Sequence, residues 1–326
     1  MAAAALCVAG FGTVAWAADR DLTPATASQP AARVLGPCFR GDADAEPCPP
    51  GGQPNVGGCS VFPADNAWNR DISSAPVHPN SANFVSRING LGATTVHPDF
   101  GSNPSYGIPF VVVPQGQARV PITYTAYGDE SDPGPFPIPA NAPIEGGGDR
   151  HVLVVEQGVC QLFELFVARP DGSGGWLADS GATWSLFSNA SRPDGWTSAD
   201  AAGLPILPGL AKFDEVAAGQ IDHALRFTVT RTQRAYVPPA THFASSSTNP
   251  NDPPMGLRFR LKATYDISRF SGQARVVAVA LQRYGMIVAD NGSNWFISGA
   301  TDPRWNDTEL NQLKSLPGNA FEVVVS

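Results

Sequence analysis

Charged residues are scarce in this chain of 326 residues, where only 15% are Asp, Glu, Lys or Arg and the net charge is -8. This balance argues against a nucleic-acid partner, because phosphate binding needs clustered basic side chains. Long apolar runs are missing after the first residues, and no later stretch approaches the roughly 18 apolar residues that predict a membrane-spanning helix. The apolar content of 43% nevertheless suffices for a sizeable core.

Well-known catalytic motifs are also lacking. The chain contains no G-x-S-x-G elbow, no P-loop, no H-E-x-x-H zinc motif and no dinucleotide fingerprint. Their absence argues against the enzyme classes that depend on them. The remaining options are chemistry by carboxylates, chemistry by histidines, or a role without catalysis.

The first residues form an apolar run that ends in Ala15-Trp16-Ala17, a small-x-small pattern typical of signal-peptidase cleavage. We therefore predict a secretory signal at residues 1–17, with a membrane anchor as the alternative. Residues 18–58 are rich in Ala, Pro and Gly with almost no large apolar side chain, which predicts a flexible linker. A single folded domain is predicted for residues 59–326.

Four cysteines remain after the predicted signal, and an even number in an exported chain indicates disulfides. The short spacing between Cys38 and Cys48 favours a local loop, which leaves Cys59 to pair with Cys160. A zinc site made by all four is the alternative, but it lacks any C-x-x-C pair.

The chain contains 33 Gly and 31 Pro residues, which predict short strands joined by many turns. Apolar patterns predict a hairpin from residues 108–113 and 120–127, a central hairpin from residues 151–156 and 160–168, and a third hairpin around Asn291-Gly292. Strand 221–230 alternates, with Arg226 and Thr228 on its wet face. Helices are predicted over residues 80–89 and 273–284. Residues 189–210 are predicted to be a long connection with a short helix that begins at Thr197 or Ser198 and ends at Ala202. The predicted fold is mainly β, an antiparallel sandwich or jelly-roll-like single domain with a few short helices.

The central hairpin carries the densest polar cluster. Gly146-Gly147-Gly148 lets the backbone bend and delivers Asp149, Arg150 and His151 to the mouth of two apolar strands. A two-residue turn at Gln157-Gly158 puts His151 opposite Glu164, while a turn at Gly158-Val159 puts it diagonally across. Either register places both side chains on one face.

Glu164 lies between apolar neighbours, and burial that raises its pKa would suit a general acid. Glu145 and Asp149 can supply the second carboxylate, because two carboxyl groups across a cleft are the minimum for cleaving a glycosidic bond. The catalytic candidates are therefore Glu164, Asp149, Glu145 and His151. The structural alternative pairs Glu164 with Arg150 or Arg226.

Further side chains are candidates for binding substrate. Arg150 and Arg226 could neutralise a uronate in a lyase whose protons move through a histidine and Tyr236 or Tyr284. Three tryptophans beside turns are candidates for stacking on sugar rings. The substrate-binding candidates are Arg150, His223, Arg226, Trp196, Trp295 and Trp305.

Metal sites and turns offer competing interpretations. His151, His223 and His242 could converge on a metal ion, although their spacing does not require it and no catalytic metal is predicted. Asp129, Glu130 and Asp132 crowd one loop, where a structural calcium ion competes with simple solvation. Asp290 precedes Asn291-Gly292 and is assigned to the turn.

The predicted secretory signal, the sandwich-like strand pattern and the candidate carboxylates together favour a secreted glycoside hydrolase. It would act on extracellular polysaccharide by a two-carboxylate mechanism. A polysaccharide lyase and a non-catalytic carbohydrate-binding or adhesive protein are the alternatives. We expect no cofactor, no nucleic acid, no membrane partner after cleavage, and a monomer.

Overall fold

The computed structural model describes residues 52–325. The predicted signal at residues 1–17, most of the predicted linker at residues 18–58 and the predicted Cys38–Cys48 pair lie outside the described residues. The end of that linker is described, and there Asn55–Val56 pairs antiparallel with Cys59–Ser60 while Val56 is buried. The folded part therefore includes the last residues of the segment that we predicted as linker.

Short strands and few helices make up the described residues, so the prediction of a mainly β fold is confirmed. The strands are β1 Asn55–Val56, β2 Cys59–Ser60, β3 His97–Asp99, β4 Phe110–Val113, β5 Ile122–Tyr124, β6 Val152–Glu156, β7 Gln161–Phe166, β8 Arg169–Pro170, β9 Trp176–Ala178, β10 Ser180–Ser185, β11 Leu225–Val229, β12 Arg258–Leu261, β13 Met286–Asn291, β14 Phe296–Ser298 and β15 Phe321–Val323. The α-helices are α1 Ser81–Asn89, α2 Phe213–Ala217, α3 Gly272–Arg283 and α4 Asp307–Leu310, with 3₁₀ turns at Gly128–Glu130, Leu207–Gly209, Asn311–Ser315 and Gly318–Ala320.

The largest sheet has six strands in the order β15-β12-β13-β11-β14-β3. On one face of β11, Phe227 packs against Phe259 and Trp295 within the main apolar core. Side chains alternate along a strand, so Arg226 and Thr228 lie on the opposite face. That face carries the polar residues of the candidate site.

A four-stranded sheet, β10-β7-β6-β4, contains the central hairpin β6–β7. Its two faces contribute to different cores: Leu153 and Leu162 join the main core, while Val154 and Phe163 join a smaller one beside the three-stranded sheet β5-β9-β8. The predicted disulfide between Cys59 and Cys160 is present and ties the β1–β2 hairpin to the turn between β6 and β7.

An irregular segment, residues 197–210, is buried almost throughout and hydrogen-bonds to both large sheets. Ser198 accepts a hydrogen bond from Ser180 of β10, and Asp200 pairs with Arg226 of β11. Irregular backbone away from water needs partners for each N–H and C=O group. We call this part of the chain the buried segment; the sequence predicted it only as a long connection with a short helix, and that helix is absent.

Three details of the predicted topology are wrong. The sheets are mixed, since β4–β6, β5–β9, β11–β13 and β14–β3 are parallel pairs. Strands β4 and β5 do not form a hairpin but join different sheets. Strands β13 and β14 do not pair across Asn291-Gly292, because they flank β11 on its two sides. Between residues 52 and 325, no helix combines the length and apolar character needed to span a membrane.

Candidate functional site

Glu164 lies inside the protein rather than in a cleft. The hairpin register pairs it with Leu153, as the turn at Gly158-Val159 predicts, so His151 lies diagonally across on the same face. The Glu164 side chain is completely buried and accepts the backbone N–H groups of Ile206, at 2.9 and 3.0 Å, and of Leu207, at 2.9 Å. Burial raises its pKa to about 7, against the opposing effect of the two N–H groups.

These contacts correct the assignment of Glu164 as the catalytic acid. A carboxyl group sealed from solvent cannot reach a polymer, and its oxygens already satisfy the backbone of the buried segment. The alternative in which Glu164 pairs with Arg150 or Arg226 is also wrong, since its partners are main-chain groups. Glu164 holds the buried segment against β7.

Glu145 and His151, predicted as neighbours in one site, are brought together by the structure. A Glu145 oxygen lies 2.5 Å from Nδ1 of His151, and the other ring nitrogen donates to the carbonyl of Ala199 at 3.1 Å. With an acceptor at each ring nitrogen, His151 is suited to carry two protons, and Glu145 raises its pKa despite burial. Burial acts to raise the pKa of Glu145, but the hydrogen bonds and charge of His151 hold it below its ordinary value.

Asp149 and Arg150 take no visible part in this arrangement. Asp149 is exposed, and its side chain makes no hydrogen bond or ion pair with the described residues; its carbonyl accepts the N–H of Val167. Arg150 has a left-handed backbone with φ of 48°, and its Nε donates to the carbonyl of Ala168. The turn after the glycines thus orders the end of the hairpin.

Arg226 is the centre of a second group, and its predicted wet face is in fact covered. Its Nη2 lies 2.8 Å from Asp200 and 3.9 Å from Asp290, and its Nη1 donates to Ser298 at 2.8 Å. Only 5% of the Arg226 side chain is exposed and Asp200 is sealed, but 28% of the Asp290 side chain remains exposed. Burial and the negative charge of Asp200 raise the pKa of Asp290 to about 7.

Asp99 extends this group across the six-stranded sheet. It pairs with Ser298, which contacts Arg226, so three neighbouring strands place polar side chains in one row. Asp99 is exposed, and its carboxylate makes no hydrogen bond within residues 52–325. Its pKa is raised by burial of part of the side chain and by the charge of Glu145. We call Asp99, Glu145, His151, Asp200, Arg226 and Asp290 the carboxylate cluster.

His223, a predicted substrate-binding residue, belongs to a separate buried group near α2. Its Nε2 lies 3.1 Å from both Lys212 and Glu215. His242 donates from Nδ1 to the carbonyl of Ala201, and His151 is engaged with Glu145. The three histidines therefore have separate partners, and no group of three or more potential metal ligands is present within the part of the chain that the structure describes.

The predicted exposure of two tryptophans is wrong. Trp295 is fully buried in the main core and donates its indole N–H to Asn89, while Trp305 is 3% exposed and donates to the carbonyl of Ala300. Neither can stack on a ligand that arrives from solvent. Trp196 remains partly exposed and packs against the guanidinium of Arg192.

Carboxylates of the predicted calcium loop have protein partners. Asp132 forms an ion pair with Arg192 at 2.8 Å, and Glu130 accepts the N–H of Thr197 at 2.9 Å. Asp129 is exposed. These contacts fasten the loop to the start of the buried segment, and a calcium ion at this loop stays a prediction.

Comparisons of the sequence with protein-family models and curated proteins, and of the structure with solved structures, found no match. The functional argument therefore depends on the geometry of the site. Sequence reasoning missed Asp99 and Asp200 and assigned Asp290 to a turn. A signal was present for Asp200, because it is a lone carboxylate in an otherwise apolar stretch, which indicates a buried charge with a partner.

Proposed function

We propose that this protein is a secreted glycoside hydrolase of extracellular polysaccharide, with Asp290 as the general acid and Glu145 as the second carboxylate. The observation that carries the proposal is a pair of partly exposed carboxylates near one buried guanidinium, with surroundings that displace their pKa values in opposite directions. Burial and Asp200 raise the pKa of Asp290 to about 7, while His151 holds the pKa of Glu145 below its ordinary value. Separate protonation states at one pH are what a carboxyl pair needs for acid and base roles.

Both groups are partly open to solvent, with 28% of the Asp290 side chain and 16% of the Glu145 side chain exposed. Both also interact electrostatically with Arg226, which places them around the same buried charge. Asp290 would donate its proton to the glycosidic oxygen as the bond breaks. Glu145, kept ionised by His151, would either activate a water molecule or attack the sugar carbon, according to its separation from Asp290.

Arg226 has a positioning role in this scheme. Its guanidinium is committed to Asp200 and Ser298 and is sealed from solvent. It is therefore not free to neutralise a uronate, and the lyase alternative keeps only Arg150 of its two candidate cations. Four carboxyl groups against two cations also favour a neutral polysaccharide over an acidic one.

The exported location and the sandwich arrangement belong to the same proposal. A disulfide between Cys59 and Cys160 supports an oxidising compartment, in agreement with the predicted signal. Both large sheets hydrogen-bond to the buried segment, which supports a sandwich-like packing of one sheet over the other.

Activity on a panel of neutral and acidic polysaccharides tests the proposal. New reducing ends without unsaturated products support hydrolysis, reducing ends with ultraviolet absorbance of unsaturated products support a lyase, and binding without either supports the adhesive alternative. The Asp290→Asn and Glu145→Gln variants should each lose about 10²- to 10⁴-fold in kcat/KM. Asp129→Asn, which changes an exposed carboxylate outside the carboxylate cluster, is the matched control. Full activity in Asp290→Asn would overturn the assignment of the acid.

A further inference from the structure

A surface segment, His242 to Ser245, connects the buried segment to the end of β13. His242 donates from Nδ1 to the carbonyl of Ala201 at 2.8 Å, and Ser245 donates to the side chain of Asn291 at 2.9 Å. Ala201 directly follows Asp200 and Asn291 directly follows Asp290 in the chain. The segment therefore links the buried segment beside Asp200 with the end of β13 beside Asp290, and we call it the border.

Three aromatic rings share nearly one orientation on this border. The Phe243 ring lies 5.8 Å from the His242 ring with 5° between their planes, and 6.4 Å from the Tyr236 ring with 16° between planes. All three side chains are partly exposed, and Phe243 belongs to neither apolar core. Tyr236 also packs against the main core, whereas neither core accounts for the Phe243 ring.

The rings are also held in place. The Tyr236 hydroxyl donates to Asp194 at 2.5 Å, and the Tyr236 backbone bridges to Met255. The guanidinium of Arg234, which is exposed, lies 5.7 Å from the centre of the Phe243 ring. Fixed rings bordered by hydrogen-bonding groups suit a ligand that has an apolar face and a polar rim.

We propose that Phe243, with His242 and Tyr236 beside it, is a sugar-binding subsite that stacks on a pyranose ring of a neutral polysaccharide next to the carboxylate cluster. This inference rests on the proposed function and names the surface that holds the chain during cleavage. A pyranose has apolar C–H faces and an equatorial rim of hydroxyl groups, so it can stack on the face of Phe243 that Arg234 does not cover.

Binding and kinetics of Phe243→Ala, with Phe187→Ala as control, test the subsite. Phe187 is 62% exposed and lies after β10, outside the border defined above. On a neutral polysaccharide, Phe243→Ala should weaken binding and raise KM by about tenfold, which is the scale of one lost stacking contact, with a smaller change in kcat. Phe243→Trp should restore the affinity, because it keeps an aromatic face.

Binding is measured on the Asp290→Asn background as well, so that affinity is read without cleavage. Loss of affinity in Phe243→Ala, but not in Phe187→Ala or Phe243→Trp, is the expected result. If the chain cleaves a polysaccharide but Phe243→Ala behaves like Phe187→Ala, the subsite is wrong and the hydrolase stands. If Phe243 is needed for binding and nothing is cleaved, the hydrolase is wrong and the subsite stands. Failure to bind any neutral polysaccharide overturns the subsite.

Discussion

Asp200 and Arg226 form an ion pair at 2.8 Å that is sealed from solvent, with Asp200 in the buried segment and Arg226 in the six-stranded sheet. Either charge, buried without the other, would destabilise the folded protein, and the attraction between the two offsets that penalty. The pair fixes where the buried segment crosses β11. It also sets the field in which Asp290 titrates, since Asp200 raises the pKa of Asp290 and Arg226 lowers it.

Replacing one member of this ion pair should therefore lower the free energy of unfolding far more than replacing both. We expect Arg226→Met to lower the free energy of unfolding by about 3–5 kcal/mol, because it leaves the Asp200 carboxylate buried without its cation. The double variant Asp200→Asn/Arg226→Met should recover most of that loss. Urea unfolding of the wild type, both single variants and the double variant gives the coupling energy, and additive effects would contradict the ion pair.

The pH dependence of kcat/KM should have a basic limb near pH 7. Asp290 must be protonated to act as the acid, so activity falls as the pH rises through its raised pKa. Glu145 must be ionised, so activity falls on the acid side only below the ordinary range of a glutamate. Initial rates at low substrate concentration across the pH range measure both limbs.

His151→Gln should move the acid limb upward. Loss of the imidazolium removes the charge that stabilises ionised Glu145, while burial continues to raise its pKa. The basic limb should also move upward, but by less, because the charge of His151 is the smallest of the influences that lower the pKa of Asp290. An unchanged acid limb would show that His151 does not control Glu145.

Glu164 should make the protein less stable as the pH rises. Its pKa is about 7 in the folded protein and has a reference value of 4.5, so the folded state holds a proton that the unfolded state releases between these values. The resulting loss of stability, about 3 kcal/mol, is absent below the lower value and complete above pH 7. Glu164→Gln keeps an oxygen for the N–H groups of Ile206 and Leu207 but cannot ionise.

Urea unfolding at pH 5 and pH 8, chosen as roughly the two sides of this interval, compares the wild type with Glu164→Gln. Other groups titrate in both proteins, so the difference between their pH slopes isolates Glu164. The wild type should lose more stability than the variant on going to the higher pH. Equal slopes would mean that Glu164 is ionised in the folded protein at both pH values.

The Cys59–Cys160 disulfide closes a loop with a sequence separation of 101 residues. Loop-closure entropy of that length corresponds to about 4–5 kcal/mol of stability, chiefly through restriction of the unfolded chain. We expect Cys59→Ala/Cys160→Ala to lower the free energy of unfolding by this amount, measured as a lower urea midpoint. The same shift should appear in the wild type under reducing conditions, and an unchanged midpoint in both would contradict the stabilising role.

Local patterns predicted the local structure well. Helices α1 and α3 lie within one residue of their predicted ranges, the central hairpin has one of its two predicted registers, and Cys59 pairs with Cys160. Each depends on periodicity, turn chemistry or elimination among few cysteines. Periodicity and turn chemistry depend on short stretches of chain, and the cysteine pairing has few alternatives, so a single sequence is enough to predict these features.

Long-range relationships were not predictable in the same way. Alternation correctly placed Arg226 opposite Phe227, but it could not show that a segment containing Asp200 covers that face. The burial of Glu164 could not be predicted, because its partners are the backbone N–H groups of Ile206 and Leu207. Every residue type except proline carries such a group, so the sequence does not mark these two as partners. The carboxylate cluster is assembled from distant parts of the chain, and no spacing in the sequence records their meeting.

The buried segment has a consequence for how this protein would be cut by proteases. Its backbone is enclosed and bonded to Ser180, His151 and Glu164, so a protease reaches it only after the whole fold opens. The border from His242 to Ser245 lies at the surface, and cleavage there is possible in the native state. A chain nicked at this border would keep Asp200 and Arg226 in place while losing the covalent continuity of one wall of the site.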